Sequence, residues 1–512
     1  MTSDHAQDAV FVLLADPATH GGAAPKRIDT HAASVFLAGD HAFKVKRSVR
    51  FPFLDFSTLD RRKAALEAEV EANRPFAPQL YLGLVPITRD GGSLTLGGKG
   101  EVVEWALKMR RFDETQTLDR LAAEGRIDSA MMAALARAVA EAHARAPVVE
   151  ARPWIAALGD YIAQNDAAFR EFPALFPADE AAALTRKSRD ALARLTPLLA
   201  ERGEAGLVRR GHGDLHLGNI ALIDGAPLPF DALEFDPLVA SGDVLYDLAF
   251  LLMDLVDRRL DAAANAALNA YFAAARRDAD IEGLAALPLF LSLRAAIRAK
   301  VTAAKIGNAE AAKKDAIARD ARTYFALASR LIAPPPARLV AVGGLSGTGK
   351  SVLARALAPF VPPAPGALIL RSDVERKRLF GVAETERLPE TGYTPEATTR
   401  VYATLAGKAR RAVVAGHSAI VDAVFAREAE RAAVTGAARA QGLDVYGLFL
   451  VAPLDVRVSR VGGRRGDASD AGAEIARRQE SYDLAGLDWI KVDASGSPEE
   501  TLANARKALA GK

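Results

Sequence analysis

The chain has 512 residues, half of them apolar and a quarter charged, a balance typical of a globular protein with two or three domains. Its 66 basic and 64 acidic residues leave a net charge of +2, which argues against a general nucleic-acid-binding scaffold. There is no cysteine, no pattern of a secretory signal and no uncharged apolar run of roughly 18 residues, so thiolate chemistry is excluded and we expect a cytoplasmic protein.

The first part of the chain is predicted to change from strands to helices. Residues 34–112 contain one candidate helix, at about 58–74, and the candidate strands 34–37, 42–45, 80–87 and 102–109. From about residue 113 to 333, Ala and Leu recur at helical spacing. A strand-like island at residues 207–235 interrupts this helical region.

Pro334-Pro335-Pro336 marks the predicted domain boundary, because three prolines cannot continue a helix. After it, apolar strands alternate with helices, which predicts a parallel α/β sheet. The candidate strands are 339–343, 367–370, 418–422 and 446–451. We therefore predict a first domain at 1–333, with lobes at about 1–112 and 113–333, and a second at 338–512.

The strand-like island begins with a polar motif. Residues 211–219 read Gly-His-Gly-Asp-Leu-His-Leu-Gly-Asn. Two apolar stretches follow, with a polar turn between them, which predicts a β-hairpin. A hairpin would place Asp214, Asn219 and Asp231 at neighbouring loop ends.

These three residues suit phosphoryl transfer. The reaction needs a carboxylate that accepts or orients the attacking hydroxyl, and oxygen ligands that hold Mg²⁺ against the nucleotide phosphates. Asp214 suits the first role, and Asn219 and Asp231 suit the second. The step from Asp214 to Asn219 also matches the kinase pattern H-R-D-x-x-x-x-N, with Gly213 in place of Arg.

The motif His-Gly-Asp-Leu-His-x-Gly-Asn, followed by an aspartate, resembles the aminoglycoside phosphotransferase and choline-kinase-like branch of the kinase fold. Residues 242–249, Gly-Asp-Val-Leu-Tyr-Asp-Leu-Ala, resemble the same branch. In that branch an acidic helix start steadies the catalytic loop, a role for Asp247 or Asp243 here. The resemblance implies an α+β protein-kinase-like domain with Asp214 as catalytic base and Asn219 and Asp231 as metal ligands.

Such a domain carries a strand lysine that binds the nucleotide phosphates and pairs with a helix glutamate. Ala42-Phe43-Lys44 has the expected apolar-apolar-Lys form. Lys46 lies on the same strand face, because side chains alternate with period two. We prefer Lys44 and leave Lys46 open. Glu69 is the predicted partner, and the alternative is that it is a solvated helix charge.

Residues 344–351, Gly-Leu-Ser-Gly-Thr-Gly-Lys-Ser, satisfy the P-loop pattern G-x-x-x-x-G-K-[ST] between an apolar strand and a helix. Backbone N–H groups of such a loop surround phosphate oxygens. Lys350 would reach the β and γ phosphates, and Ser351 would bind Mg²⁺. The predicted ATP-binding residues of the loop are Gly344, Ser346, Gly347, Thr348, Gly349, Lys350 and Ser351.

The predicted strand 367–370 leads into Asp373 and Arg376. This strand end resembles the polynucleotide-kinase, gluconate-kinase and zeta-toxin-like group of P-loop kinases. That resemblance implies Asp373 as the base that activates a hydroxyl and Arg376 as a substrate clamp. The alternative is that both are charges at a helix start. Asp422, at the end of an apolar strand, is the candidate Walker-B-type residue that orders the Mg²⁺ water shell.

An arginine-rich stretch follows the predicted strand 446–451 and includes Arg457, Arg460, Arg464 and Arg465. It resembles a mobile lid whose arginines neutralise charge on the transferred phosphoryl group. Arg460, Arg464 and Arg465 are the candidates, and a solvated basic helix is the alternative.

Nearly the whole chain resembles bacterial proteins described as bifunctional aminoglycoside phosphotransferase and ATP-binding proteins, the second part being an α/β P-loop NTPase domain with a parallel sheet. We predict an ATP- and Mg²⁺-dependent phosphotransferase with two sites, acting on hydroxyls of small molecules and, less favoured, of nucleic-acid ends. The alternative is a regulatory protein in which one domain binds ATP and gates the other. No membrane partner is expected.

Overall fold

The structure is a computed structural model that describes residues 3–51, 54–234, 238–439, 442, 445–463, 468–484 and 486–510. Its contacts divide the chain into two compact units. Unit 1 comprises Met1–Ile127, Ala134–Leu158 and Leu199–Asp254, and unit 2 comprises Asp128–Ala133, Gly159–Leu198 and Leu255–Lys512. Pro334–Pro336 lies inside unit 2, so the domain boundary placed there stays a prediction.

The strands follow one another along the chain as β1 (Lys26–Asp29), β2 (Ala33–Ala38), β3 (His41–Lys46), β4 (Arg50–Phe51), β5 (Leu54–Asp55), β6 (Tyr81–Asp90), β7 (Ser93–Leu96), β8 (Glu101–Arg110), β9 (Val208–Arg210), β10 (Ile220–Ile223), β11 (Ala226–Pro229), β12 (Ser241–Asp243), β13 (Leu339–Gly344), β14 (Leu368–Arg371), β15 (Ala419–Asp422), β16 (Val445–Val451) and β17 (Ile490–Asp493).

The helices are α1 (Ser3–Ala15), α2 (Leu59–Asn73), α3 (Leu118–Ala123), α4 (Ser129–Arg145), α5 (Ala151–Glu171), α6 (Ala178–Glu204), α7 (Val244–Asp257), α8 (Asp261–Ala275), α9 (Ala279–Gly283), α10 (Leu287–Ala304), α11 (Ala311–Leu331), α12 (Lys350–Leu357), α13 (Ser372–Leu379), α14 (Pro395–Val414), α15 (Glu428–Arg439), α16 (Leu454–Gly462), α17 (Ala473–Arg478) and α18 (Pro498–Ala510).

Unit 1 is built on an antiparallel sheet with strand order β1-β2-β3-β8-β6-β7 in its described part. The four predicted strands of this region correspond to β2, β3, β6 and β8. Helix α2 begins after Thr58, whose hydroxyl caps the helix by accepting a hydrogen bond from the Arg61 N–H. Leu66 of α2 is fully buried in one cluster with Leu107 of β8, which fixes the helix against the sheet that carries Lys44.

The predicted hairpin of unit 1 is confirmed. Strands β10 and β11 pair antiparallel, with Ile220 opposite Pro229. Asp224 and Gly225 turn the chain with φ values of 51° and 78°. Two consecutive positive φ values are typical of the tight turn that matches the twist of a two-stranded hairpin.

Unit 2 contains a parallel sheet with strand order β14-β15-β13-β16-β17 within its described residues. The four predicted strands of this region correspond to β13 to β16, each within one residue at either end. Strand β17 was not predicted, because it has four residues and only Val492 of them is buried. Leu353 and Leu357 of α12 are buried in the same core as Val340 of the central strand β13.

The predicted fold class is confirmed: an α+β kinase-like part built on an antiparallel sheet precedes an α/β P-loop part with a parallel sheet. Within the part of the chain that the structure describes, no helix is long and apolar enough to cross a membrane.

Candidate active sites

The catalytic-loop candidates of unit 1 are joined by hydrogen bonds. The amide nitrogen of Asn219 donates to Asp214 Oδ2 at 2.8 Å and to the Asp214 carbonyl at 3.0 Å. The carbonyl of Asn219 accepts from the Phe230 N–H at 2.9 Å. Since Asp231 follows Phe230, the hairpin brings all three predicted residues to one end of β10 and β11.

Asp247, in the first turn of α7, binds the backbone at the start of this loop. Its carboxylate accepts from the N–H groups of His212, at 2.9 Å, and Gly213, at 2.8 Å. Its Oδ2 also lies 2.9 Å from His143 Nε2. Asp243 instead pairs with another side chain, so of the two acids that were expected to steady the loop, Asp247 does so.

His143 was missed by the sequence analysis. It is fully buried near the end of α4. A single histidine on an amphipathic helix carries no signal of its role, because its partner Asp247 lies 104 residues away in the chain.

Lys44 and Lys46 of β3 share the fully buried carboxylate of Glu69. Lys44 Nζ lies 2.7 Å from Oε1, and Lys46 Nζ lies 2.8 Å from Oε2. Burial by itself would raise the pKa of Glu69, but the two ammonium groups outweigh it and lower that pKa to about 2. Burial opposes the charge of Lys44 as well, yet Glu69 and Asp231 raise the pKa of Lys44 above its ordinary value. Glu69 and Lys44 are therefore both charged at neutral pH.

The two lysines differ in their second partner. Lys44 Nζ is 3.5 Å from Asp231 Oδ1, and the Asp231 side chain is half exposed. Lys46 is almost fully buried, and its Nζ is 2.8 Å from Glu234. Lys44 thus lies beside the predicted metal carboxylate, as a phosphate-binding lysine must. The geometry favours Lys44, and the assignment stays a prediction.

Two glycines of the P-loop in unit 2 have backbone conformations that other residues rarely adopt. Gly347 and Gly349 have φ values of 88° and 91°. A Cβ on Gly347 would also overlap the backbone of Arg457. Positive φ at two positions turns the backbone into the compact loop that precedes α12. Lys350, the first residue of α12, reaches back and donates to the Leu345 carbonyl at 3.1 Å.

The side chains around the P-loop add two contacts. Thr348 Oγ1 donates to the Leu345 carbonyl at 2.8 Å. The Ser346 N–H donates to Gln479 Oε1 at 2.6 Å. Gln479 lies more than 130 residues away along the chain and was not predicted to belong to the site.

Ser351 and Asp422, the two predicted Mg²⁺ residues of unit 2, are in contact. Ser351 Oγ donates to Asp422 Oδ2 at 2.6 Å. Arg371, the last residue of β14, lies beside both: its Nη2 is 3.0 Å from Ser351 Oγ and its Nε is 3.3 Å from Asp422 Oδ2. Arg371 was not selected as a functional residue, because only the alignment of β14 with β15 brings it to Asp422.

Asp373 lies in the first turn of α13, close to the same charges. Burial and the negative charge of Asp422 raise its pKa, while Lys350 and Arg371 oppose that effect. A raised pKa brings a carboxylate closer to the range in which it accepts a proton efficiently. The electrostatics therefore suit the role of base that was predicted for Asp373.

Arg376 forms hydrogen bonds with residues outside the P-loop. Its Nη1 donates to the Gly392 carbonyl at 2.7 Å, and its guanidinium lies 5.0 Å from the centre of the Tyr393 ring. The Tyr393 hydroxyl donates to Asp470 Oδ2 at 2.5 Å. These contacts attach Arg376 to the segment between α13 and α14, and its role as substrate clamp stays a prediction.

The arginine-rich stretch is described only in part, because Arg464 and Arg465 lie outside the described residues. Arg460 donates to the carbonyls of Ala494 and Gly496, both at 2.7 Å, so it is bound to the segment after β17. Arg457 is buried, pairs with Glu480 and lies 3.4 Å from the Ser346 carbonyl of the P-loop. Of the described arginines of this stretch, Arg457 contacts the P-loop, although nothing in its sequence context distinguishes it. The lid assignments stay predictions.

These two sets of residues lie on two architectures, an antiparallel sheet in unit 1 and a parallel sheet with a P-loop in unit 2. The family model described as "AAA domain" matches residues 339–483, which include the P-loop and Asp422.

The chain belongs to the same family as the mycobacterial proteins Rv2004c of Mycobacterium tuberculosis H37Rv and Mb2027c of Mycobacterium bovis. Each is 30% identical to it over 491 residues, an alignment that covers 93% of this chain and 94% of the relative. Both relatives carry the description "uncharacterized protein".

Two solved structures resemble the two parts. A choline/ethanolamine kinase family protein from Mesorhizobium loti is 14% identical, with 64% of this chain and 99% of that chain covered and a TM-score of 0.35. A gluconokinase from Sinorhizobium meliloti is 20% identical, with 34% of this chain and 93% of that chain covered and a TM-score of 0.26.

Proposed function

We propose that this protein is an ATP-dependent phosphotransferase with two Mg-ATP sites, each of which transfers the γ-phosphoryl group to a hydroxyl of a small molecule. The observation that carries the proposal is the double contact of Lys44 with Glu69, at 2.7 Å, and Asp231, at 3.5 Å. It joins the phosphate-binding lysine, the helix glutamate and the metal carboxylate of a kinase site.

Asp214 acts as the base of the first site. The acceptor oxygen forms a bond to the γ phosphorus, the bond from that phosphorus to the ADP oxygen breaks, and the hydroxyl proton passes to the Asp214 carboxylate. The amide of Asn219 orients that carboxylate through its 2.8 Å hydrogen bond. Asp247 fixes the backbone before Asp214, so the base does not have to be ordered during the reaction.

The residues fit Mg²⁺ at both sites. Asn219 uses its amide nitrogen to bind Asp214, so its amide oxygen is the candidate metal ligand, and Asp231 contributes a half-exposed carboxylate. In unit 2 the hydroxyl of Ser351 and the carboxylate of Asp422 are the oxygen donors. Mg²⁺ bound with nucleotide phosphates needs only one or two protein carboxylates, and when bound it neutralises charge on those phosphates.

In the second site the P-loop backbone binds the nucleotide phosphates and Lys350 neutralises their charge. Its hydrogen bond to the Leu345 carbonyl holds Lys350 over the loop. Asp373 takes the proton of the acceptor hydroxyl, a role that its raised pKa supports. We propose the cytoplasm as the compartment, in keeping with the cysteine-free sequence.

The test is transfer of labelled γ-phosphate from ATP into fractionated cell metabolites by the wild type, Asp214→Asn and Lys350→Ala. We expect each variant to lose a different labelled product. Asp261→Asn, at an exposed position in the first turn of α8, and Lys313→Ala, in an exposed ion pair, are the matched controls and should retain both products.

Two results would contradict the proposal. Slow ATP hydrolysis without any labelled product, sensitive only to Lys350→Ala, would make the kinase-like part a regulatory module. Labelling of nucleic-acid 5′ ends, in place of metabolites, would show that the acceptor of the second site is a nucleic acid.

A further inference from the structure

Unit 2 contains a cavity of about 260 Å³ that the proposed reaction does not use. One wall comes from α8 and the segment up to α9, and the opposite wall comes from β14, α13 and α14. Phe272 and Ile281 line the helical side, and Leu370 and Val374 line the other. The interior therefore offers an apolar surface to a ligand of metabolite size.

Basic side chains outnumber acidic ones around this apolar surface. The acids are Asp278, Glu375 and Glu384. The bases are Arg276, Arg277, Arg355, Arg371, Arg378 and Lys408. Two of these bases, Arg277 and Arg371, are paired with Asp280 and Asp422, which do not line the cavity. The other four bases face three acids, which leaves a formal excess of one positive charge for an anionic ligand. Guanidinium groups bind phosphate with paired hydrogen bonds.

The cavity and Arg376, the predicted substrate clamp, lie on different faces of α13. The cavity is lined by Val374, Glu375 and Arg378 of α13. Arg376 of the same helix bonds instead to the segment between α13 and α14, at the Gly392 carbonyl. Residues three and four apart share one face of a helix, so the cavity and the Arg376 contacts occupy different faces of α13.

The helical wall is fixed to the sheet by Asn269. Its amide donates to the Ala367 carbonyl at 3.2 Å, and its oxygen accepts from the Ile369 N–H at 2.7 Å. Asn265, one turn earlier, donates to the same carbonyl at 3.0 Å. Side chains of α8 thus bind the backbone of the edge strand β14 and the residue before it, which fixes the helical wall of the cavity to the sheet.

We propose that this cavity binds a small organic phosphate monoester. Its apolar part would lie against Phe272 and Val374, and its phosphate would face Arg276 and Arg378. Apart from Arg371, which also contacts Ser351, the lining residues differ from those of both phosphotransfer sites.

Arg371 connects the cavity with the P-loop. It lines the cavity and also donates to Ser351 Oγ at 3.0 Å. A phosphate in the cavity attracts the same guanidinium and weakens its hold on Ser351 and Asp422. Occupation of the cavity is therefore expected to change nucleotide affinity at the P-loop, and nucleotide to change ligand affinity by the same factor.

The experiment measures binding of phenyl phosphate to the full chain by calorimetry, with phenol and inorganic phosphate as comparisons at equal ionic strength. We expect saturable binding of phenyl phosphate that is tighter than binding of either comparison. Arg276→Gln removes one charge from the rim, and Ala273→Phe fills the cavity from an exposed position of α8. Arg276→Gln should raise the Kd about tenfold or more, the usual effect of losing a charge-assisted contact. Ala273→Phe should also raise the Kd, because the added ring occupies space that the ligand needs.

Two further variants make the result decisive. Arg319→Gln changes the same charge on an exposed part of α11 and should bind as the wild type does. Lys350→Ala should retain phenyl phosphate binding, since the cavity does not include the P-loop lysine. Absence of saturable binding, an unchanged Kd in both cavity variants, or loss of binding in Lys350→Ala would each overturn the proposal.

Discussion

Lys46 Nζ lies 2.8 Å from Glu69 Oε2, so the helix glutamate of the kinase-like part is held by a second lysine in addition to Lys44. The same Lys46 Nζ also lies 2.8 Å from Oε1 of Glu234, which is three residues after Asp231 in the chain. The shared carboxylate links strand β3, helix α2 and the segment after Asp231 in one buried network. Its two lysines have different neighbours, and they are expected to have different roles.

Replacing each lysine by methionine separates these roles. Lys44→Met removes the cation beside Asp231 and should lower the rate of the first site by roughly a hundredfold, as expected when phosphate positioning is lost. Lys46→Met removes the ammonium group that pairs with the carboxylates of Glu69 and Glu234. This substitution should lower the free energy of unfolding by about 3 kcal/mol. Product formation and urea unfolding measure the two effects.

Lys63→Met is the control for both lysines, because Lys63 is in an exposed pair with Glu67 on α2. It should change the free energy of unfolding by about 0.5 kcal/mol or less. Loss of transfer in Lys46→Met with retention in Lys44→Met would reverse the assignment of the nucleotide lysine.

Asp247→Ala tests the support of the catalytic loop. The change leaves the buried N–H groups of His212 and Gly213 and the ring of His143 without their acceptor. We expect a loss of about 3 kcal/mol in the free energy of unfolding, since buried donors then remain unsatisfied. The kcat of the first site should fall as well, with a smaller change in KM, because the loop positions the base.

Asp261→Ala is the matched control for Asp247→Ala. Asp261 lies in the first turn of α8 at an exposed position, and its loss should cost at most about 1 kcal/mol from the helix dipole. Equal destabilisation by the two substitutions would show that Asp247 acts only as a helix-start charge.

Gly347→Ala is expected to disable the P-loop. Gly347 has a φ of 88°, and an added Cβ would lie 2.8 Å from the Cα of Arg457. Strain of about 1–3 kcal/mol, or a shifted loop, follows from a side chain at such a position. Calorimetric binding of a non-hydrolysable ATP analogue to the second site should weaken at least tenfold.

Gly407→Ala provides the comparison, because Gly407 lies inside α14 with open space around its missing Cβ. It should raise the free energy of unfolding by about 0.5–1 kcal/mol and leave nucleotide binding unchanged. If Gly347→Ala binds the analogue as tightly as Gly407→Ala does, the backbone argument for the P-loop is wrong.

His417 gives unit 2 a dependence of stability on pH. The ring is buried, its Nε2 lies 3.0 Å from the Gly366 carbonyl, and burial lowers its pKa from 6.5 to about 4. The unfolded chain therefore binds a proton below pH 6.5 that the folded chain does not bind until about pH 4. The free energy of unfolding should fall as the pH is lowered through this window, by about 3 kcal/mol at its acid end.

Urea unfolding of the wild type and His417→Gln between pH 7.5 and pH 4 checks this prediction. The variant should be less stable than the wild type at pH 7.5 and should lose less stability on acidification. An equal loss in both proteins would assign the acid sensitivity to other groups.

Much of the two sites could be predicted because their motifs are local. The P-loop at 344–351 and the loop from Asp214 to Asn219 are short stretches whose glycine positions, turn residues and flanking apolar strands carry the signal. The hairpin β10–β11 and the strands β13 to β16 were predicted for the same reason. Strand β17 was not, since four residues with one buried side chain leave little pattern.

The sequence by itself determined which residue types lie in each loop. It favoured Lys44 as the nucleotide lysine but left Lys46 open, because both lie on one face of a strand. Only the tertiary structure decided that Lys44 lies beside Asp231, that His143 binds Asp247, and that Arg371 reaches Ser351. These partners are between 20 and 187 residues apart. Local propensity cannot predict such a contact, because the contact depends on how strands align and helices pack across the whole unit.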